Sequence, residues 1–213
     1  MKPRGWRRPL GHARRRLGRP AWQGGWWRGA RAVPSPNFGP RPVGERPTLV
    51  VLHSISLPPG VLRGDAVQAL FTNTLDCNRH PFFDGLRGLR VSAHFFLRRS
   101  GELIQFVATD QRAWHAGVSS WRGREQCNDW SIGIEIEGLE GRRFAARQYR
   151  ALARLLRVLI ARHPIDEIVG HEHVAPGRKH DPGAGFEWLR LSRLLKGEAV
   201  RVWPLEYQGW HYP

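Results

Sequence analysis

The sequence predicts an α/β fold, a central mixed β-sheet flanked by helices in a single domain. Three stretches carry that prediction. Leu49-Val50-Val51-Leu52 is a short apolar run with two β-branched residues, the pattern of a buried strand. Ser131 to Glu137 alternates strictly, with Ile132, Ile134 and Ile136 on one face and Gly133, Glu135 and Glu137 on the other. Ala145 to His163 carries Tyr149, Leu152, Ala153, Leu156, Leu159 and Ile160 at helical spacing, with arginines on the opposite side. Strands and helices are mixed in chain order, so the helices are expected to cover the faces of one sheet.

The other elements fall in around these. Residues 1–24 are basic, hold no acid and lack an apolar period, which predicts a disordered extension. From Gly25 to Pro47, aromatic residues and prolines (Trp26, Trp27, Pro34, Pro36, Phe38, Pro40) suggest an irregular segment laid over the domain surface. Thr48 to His53 is the first main strand, with His53 at its carboxyl end, and the loop after it stops at Pro58-Pro59-Gly60. Asp65 to Thr72 forms a short helix on Val67, Leu70 and Phe71. Val91 to Arg99 and Glu102 to Val107 flank Ser100-Gly101, a hairpin signal, and the loop Trp114-His115-Ala116-Gly117 follows. Beyond the long helix, Ile165 to Val169 is a short strand leading into a Pro- and Gly-rich loop. Phe186 to Leu195 is the last helix, and the tail of residues 198–213 shows no clear pattern. The folded domain is expected to span residues 25–197.

At 213 residues and 41% hydrophobic content, the chain can bury one substantial core. Cys77 and Cys127 form no CxxC pair, which removes a disulfide framework or a cysteine-based zinc site and suits a reducing compartment. Of the +16 net charge, ten positive charges lie in residues 1–32, so the folded part is only moderately basic and nucleic acid is not expected as a partner. No apolar run follows the basic start as in a signal peptide, and none approaches the ~20 residues of a membrane span. A soluble, cytoplasmic, monomeric protein without a membrane partner is expected.

The chemistry concentrates in residues 170–183, Gly-His-Glu-His-Val-Ala-Pro-Gly-Arg-Lys-His-Asp-Pro-Gly. Three imidazoles, two carboxylates and a lysine in a segment shaped by Pro and Gly make a poor core, but imidazole and carboxylate are ligand types that suit Zn²⁺. A catalytic zinc needs three protein ligands and one open position. His53, at a strand end, is the best distant partner for His171. The third ligand stays open on spacing alone, with Asp181, His173 and His180 in the loop and His94 and His115 as competitors. Glu135 or Glu137, on one strand face, is placed to take a proton, and Lys179 to face a developing oxyanion. There is no GxxxxGK[ST], HExxH or GxSxG.

Six ordered blocks then point to a family. They are residues 30–37 (Ala-Arg-Ala-Val-Pro-Ser-Pro-Asn), 53–60 (His-Ser-Ile-Ser-Leu-Pro-Pro-Gly), 90–94 (Arg-Val-Ser-Ala-His), 112–117 (Arg-Ala-Trp-His-Ala-Gly), 127–135 (Cys-Asn-Asp-Trp-Ser-Ile-Gly-Ile-Glu) and the 170–183 loop. In this order they resemble the AmpD-type 1,6-anhydro-N-acetylmuramyl-L-alanine amidases of the zinc N-acetylmuramoyl-L-alanine amidase superfamily, over about residues 26–195. The resemblance implies zinc held by His53, His171 and Asp181, with Glu135 as the base and Lys179 stabilising the tetrahedral intermediate. It implies cleavage of the amide between (anhydro)muramic acid and L-alanine of an anhydromuropeptide in cytoplasmic peptidoglycan recycling. Arg90, Trp114, His115, Arg124 and Asn128 are then candidates for substrate binding, and His173 either supports the ligands from behind or is structural. Ser54 and Gln126 stand where the family carries Asn and Arg. The rival readings are an amidase acting on intact cell wall, which needs export, and a non-catalytic muropeptide-binding module, which typically lacks a ligand.

Overall fold

The structure is a computed structural model and describes residues 21–204. Its centre is a seven-stranded mixed sheet built from Arg31–Ala32 (β1), Leu49–Ile55 (β2), Phe95–Leu97 (β3), Leu103–Gln105 (β4), Ser131–Glu137 (β5), Glu167–Gly170 (β6) and Arg201–Val202 (β7). The strands lie in the order β7-β6-β2-β5-β3-β4-β1. Only β3 and β4 pair antiparallel within it; β7, β6, β2, β5 and β3 run parallel, as do β4 and β1.

The period of two in the strands sorts their side chains by face. Val50, Leu52, Ile132, Ile134, Ile136 and Ile168 join one core, against the helix Ala146–Arg162 (α2). That helix buries Tyr149, Leu152, Ala153, Leu155, Leu156 and Leu159 in the same core, as its apolar spacing requires. Each such leucine contributes about 1.5–3 kcal/mol on burial. At the start of α2 the Gln148 side chain accepts the Ala145 N–H at 2.9 Å, which satisfies one orphan donor, and Pro164 follows its last turn.

Leu49, Val51 and Val169 face the other way, packed with Ala116, Cys127, Trp130 and Val174. This second face carries the chemistry. A third cluster joins the short helix Ala66–Phe71 (α1) to the outer part of the sheet through Leu70, Phe71, Phe96 and Phe106. The one-turn helix His171–Val174 (α3) and the last helix Trp188–Leu194 (α4) follow β6.

Three expectations shift at their edges. Trp22–Gln23 pairs antiparallel with Trp26–Trp27, so order begins before residue 25, stabilised by Arg162 and Arg154 stacking on Trp22 and Trp27. The expected disorder of residues 1–20 lies outside the described residues. The tail contributes β7, because β6 would otherwise leave an open parallel edge; residues 205–213 lie outside the described residues. In the hairpin, the strands are shorter than the apolar pattern, closing through Arg98 and Glu102 at 2.9 Å with Gly101 at φ +92°.

Candidate metal centre

The site forms where three parallel neighbours, β6, β2 and β5, end together, and the carboxyl ends of parallel strands are where open sheets place ligands. Register sets the first two groups side by side: His53 of β2 pairs with Glu135 of β5, so both side chains leave the sheet on the face that packs Ala116 and Val174. Gly170, the last residue of β6, pairs with Leu52, and the chain turns at once into α3, whose first residue is His171. The loop then returns so that the Asp181 carbonyl accepts the Glu172 N–H at 2.9 Å. Its carboxylate is thereby brought over the two imidazoles.

His53 Nδ1 lies 2.9 Å from His171 Nδ1, and Asp181 Oδ2 lies 3.2 Å from each of them. Bonds of about 2.0–2.1 Å in a tetrahedron put zinc ligand atoms roughly 3.3 Å apart, so the observed triangle fits three corners of such a site. The hydrogen bonds behind the ligands fit as well. His171 Nε2 faces the Ala116 carbonyl oxygen at 3.1 Å, and a carbonyl only accepts, so Nε2 carries the proton and Nδ1 presents a lone pair. Burial, with His171 and Lys179 adding to it, pushes His53 down to about 4. Burial pushes Asp181 up, but hydrogen bonds and charge from His171 and His53 outweigh it and hold the carboxyl well below the usual range. At neutral pH a neutral His53 and an ionised Asp181 thus meet His171 in a set of donors whose chemistry suits a cation.

Glu135 stands beside this group. Its Oε2 is buried with no hydrogen-bond partner among the described residues. Burial raises its carboxyl well above the usual carboxylate range, Asp181 adds to the rise, and Lys179 opposes it. The lysine is therefore close enough to act on both Glu135 and His53. Glu137, the other strand-face acid, is spent on structure: its Oε2 accepts the Arg99 N–H at 2.7 Å.

The remaining histidines separate by the geometry of their turns. In α3, residues two apart point in different directions, so His173 leaves His171 behind; its Nδ1 accepts the Gly170 N–H at 2.8 Å and its ring packs on Trp188. His94 Nδ1 accepts the Gly133 N–H at 3.0 Å, which fixes it as a buried structural residue. His180 is exposed and outside the convergent group.

The five residues expected to bind substrate divide likewise. His115 points inward, with Nδ1 2.9 Å from His53 Nε2 and Nε2 3.2 Å from Ser131 Oγ. Asn128 Oδ1 accepts the N–H groups of His115 and Ala116 at 3.0 and 2.9 Å. Arg124 pairs with Glu45 and stacks on Trp130 with its guanidinium carbon 4.4 Å from the ring centroid. Trp114 is half-buried, its backbone tied to Ser92, and Arg90 is exposed. A cleft of about 640 Å³ opens beside the centre, lined by Val118, Ser119, Gln126, Asn128, Val174 and Arg178 among others. Arg178 links the two, because its guanidinium reaches the same Ala116 carbonyl that accepts from His171. Gln126 sits there at φ +57°, a left-handed conformation uncommon for a residue with a Cβ.

Sequence reading missed the supporting groups. Arg41 threads the interior, reaching the carbonyls of Asp129 and Ser131 at 2.8 and 2.9 Å, and burial brings it down to about 10. Its neighbours Pro40 and Pro42 gave it the look of a surface loop. Ser131 and Ala116 lie within the family blocks, but nothing in the sequence marks them as hydrogen-bond partners of the histidines.

Comparisons with known proteins bear on the family and the fold. A family profile described as N-acetylmuramoyl-L-alanine amidase matches residues 43–184. The chain is 51% identical over 173 residues to the 1,6-anhydro-N-acetylmuramyl-L-alanine amidase AmpD of Citrobacter freundii, spanning 80% of this chain and 92% of that protein. A crystal structure of a selenomethionine derivative of AmpD matches with a TM-score of 0.80 at 51% identity, over 81% of this chain and 98% of that one. The Escherichia coli amidase AmiD, solved with anhydro-N-acetylmuramic acid-L-Ala-D-gamma-Glu-L-Lys, matches at a TM-score of 0.50 and 29% identity over 72% of this chain and 60% of that one. With most of its length matched, this chain belongs to the N-acetylmuramoyl-L-alanine amidase family.

Proposed function

We propose that the chain is a zinc-dependent hydrolase of 1,6-anhydromuropeptides, cleaving the amide between the lactyl group of anhydro-N-acetylmuramic acid and L-alanine in peptidoglycan recycling. The observation that carries the reading is the meeting of two imidazole nitrogens and one carboxylate oxygen, 2.9–3.2 Å apart, beside a buried carboxyl oxygen with no partner. The substrate class rests on the AmpD relatives, which the chain matches over most of both lengths. Both cysteines are free, which suits the cytoplasm, and the functional unit is read as a monomer spanning residues 25–197 with β7 added at its edge.

His53, His171 and Asp181 are the proposed ligands. Zinc bound by these three residues would supply Lewis acidity toward the scissile carbonyl and would bring the pKa of water toward neutrality. The rest of the work falls to the chain. Glu135, whose Oε2 is buried without a partner among the described residues, takes the proton of the attacking water on a carboxylate oxygen and hands it to the departing L-alanine amine. Lys179 donates to the oxyanion that develops on the former carbonyl oxygen. The anionic stem peptide lies along the cleft, with exposed Arg90 offering a carboxylate clamp.

The test is release of stem peptide from purified anhydromuropeptide, with and without chelator, for wild type, Asp181→Ala and Glu135→Ala. Chelation and both substitutions are expected to abolish turnover, with Asp181→Ala losing zinc and Glu135→Ala retaining it. Full turnover by metal-free protein would end the proposal.

A further inference from the structure

We infer that the dipeptide His115-Ala116 is the template that fixes both imidazole ligands, and that His115 is a positioning residue for His53 rather than a contact for substrate. This rests on the zinc reading above and extends it to side chains that touch neither substrate nor ion.

The argument begins with protons. For His53 to present a lone pair at Nδ1, its Nε2 must carry the hydrogen, and a buried N–H needs an acceptor. Among the described residues, the hydrogen-bond partner of His53 Nε2 is His115 Nδ1, at 2.9 Å, with the rings nearly perpendicular at 84°. His115 must then hold its own hydrogen on Nε2, where Ser131 Oγ lies 3.2 Å away to accept it. With the opposite tautomer of His115, Nδ1–H would confront His53 Nε2, and His53 would turn its own hydrogen toward His171 and Asp181. The next residue does the same work for the other ligand, since the Ala116 carbonyl accepts from His171 Nε2 at 3.1 Å. One backbone segment thus holds the outer partners of both imidazoles.

The surroundings hold that segment in place. Asn128 Oδ1 accepts both its N–H groups, and Arg178 takes the Ala116 carbonyl from the other side at 2.7 Å. The ring of His115 occupies a socket that exists because residue 133 is glycine: a Cβ there would lie 2.3 Å from His115 Cγ and 2.5 Å from Nδ1. Outer acceptors of this kind typically influence metal affinity by 10- to 100-fold.

The experiment measures zinc affinity by chelator competition on the full chain, together with the visible spectrum of the cobalt-loaded protein and the melting temperature of the metal-free protein. His115→Phe keeps a ring in the socket without nitrogen and is expected to weaken zinc binding by roughly 10- to 100-fold and to alter the cobalt spectrum. His115→Asn puts an acceptor near the Nδ1 position and is expected to recover most of both. Should His115→Phe not fold, Ser131→Ala removes the far acceptor and is expected to weaken zinc binding severalfold. Wild-type affinity in the variant measured, or losses of affinity that merely follow losses of metal-free stability across the set, would overturn the inference. Asp181→Ala separates the two levels: if it binds zinc like wild type, the metal site itself is wrong, whereas zinc lost there and kept in His115→Phe removes only the role of His115.

Discussion

Gly133→Ala is the substitution that most directly interrogates how the sheet supports the site. Residue 133 is fully buried in the middle of β5, and the added methyl would stand 2.3 Å from His115 Cγ and 2.6 Å from Cδ2. Ordinary carbon contacts need about 3.5 Å, so the ring must retreat by about 1 Å. That movement stretches the 2.9 Å contact from His115 to His53 beyond hydrogen-bond range and abandons the Nε2 hydrogen of His53 in a buried place. Two costs follow. Overpacking a closed core position costs about 1–3 kcal/mol of stability, and release of the outer acceptor is expected to reduce zinc affinity roughly 10- to 100-fold. Urea unfolding of the metal-free protein reads the first, chelator competition the second. A variant with unchanged midpoint and unchanged zinc affinity would show that His115 moves freely, and the reasoning from the glycine socket would fail.

Other consequences are equally measurable. Glu135→Gln keeps the shape of the side chain but cannot take a proton; kcat for stem-peptide release should fall by about 10²- to 10⁴-fold with zinc content unchanged, and turnover near wild type would remove Glu135 as the base. Lys179→Ala should reduce kcat by roughly 10²-fold or more while leaving zinc bound, as seen by metal analysis. Leu156→Ala, at a fully buried position of α2 far from the ligands in the other core, should cost about 2–5 kcal/mol in urea unfolding and spare zinc affinity. His163 is pushed down to about 4, mainly by burial and then by Arg162, and its ring nitrogen meets Thr109 Oγ1 at 2.9 Å. The unfolded chain binds that proton near pH 6.5, so the stability His163 confers is complete above about 6.5 and lost as pH falls toward 4. Comparing wild type with His163→Gln at about pH 7 and about pH 5 should show the difference between them shrinking on acidification.

What the sequence revealed and what it hid follow from the range of the interactions. The alternation of residues 131–137 and the apolar spacing of residues 146–162 are local patterns with one dominant period, and both elements stand where those patterns place them. His53 and His171 were legible as ligands because each stands at a strand end, whereas Asp181 was singled out only by the family resemblance. Spacing alone could not choose among the imidazoles of residues 171–180, because the answer depends on a single helical turn that separates His171 from His173. His115 was legible as a site residue, but the contacts of its ring with His53 and Ser131 were not. Nothing in its sequence neighbours says whether a loop histidine points to a cleft or into a socket, and the deciding residue, Gly133, lies eighteen positions away on another strand. The strand β7 was hidden for a similar reason: two residues have no period, and only the open edge of β6 gives them structure.

The topology explains why the ligands come from such distant parts of the chain. His53 and His171 are 118 residues apart, yet β2 and β6 are hydrogen-bonded neighbours, and parallel neighbours end at the same edge. Parallel pairing demands long crossovers, so residues that finish side by side must be remote in sequence. The same pairing puts Glu135 next to His53, since β5 is the other neighbour of β2. A carboxyl at that register is buried by the sheet on one side and by the ligand loop on the other, which is why its pKa rises without any dedicated partner. Moving Glu135 by one residue along β5 would turn it into the face that packs α2, and moving it by two would carry it to the position of Glu137, where the Arg99 N–H neutralises its function as a base. The register between β2 and β5 is therefore as much a part of the proposed chemistry as the ligands themselves.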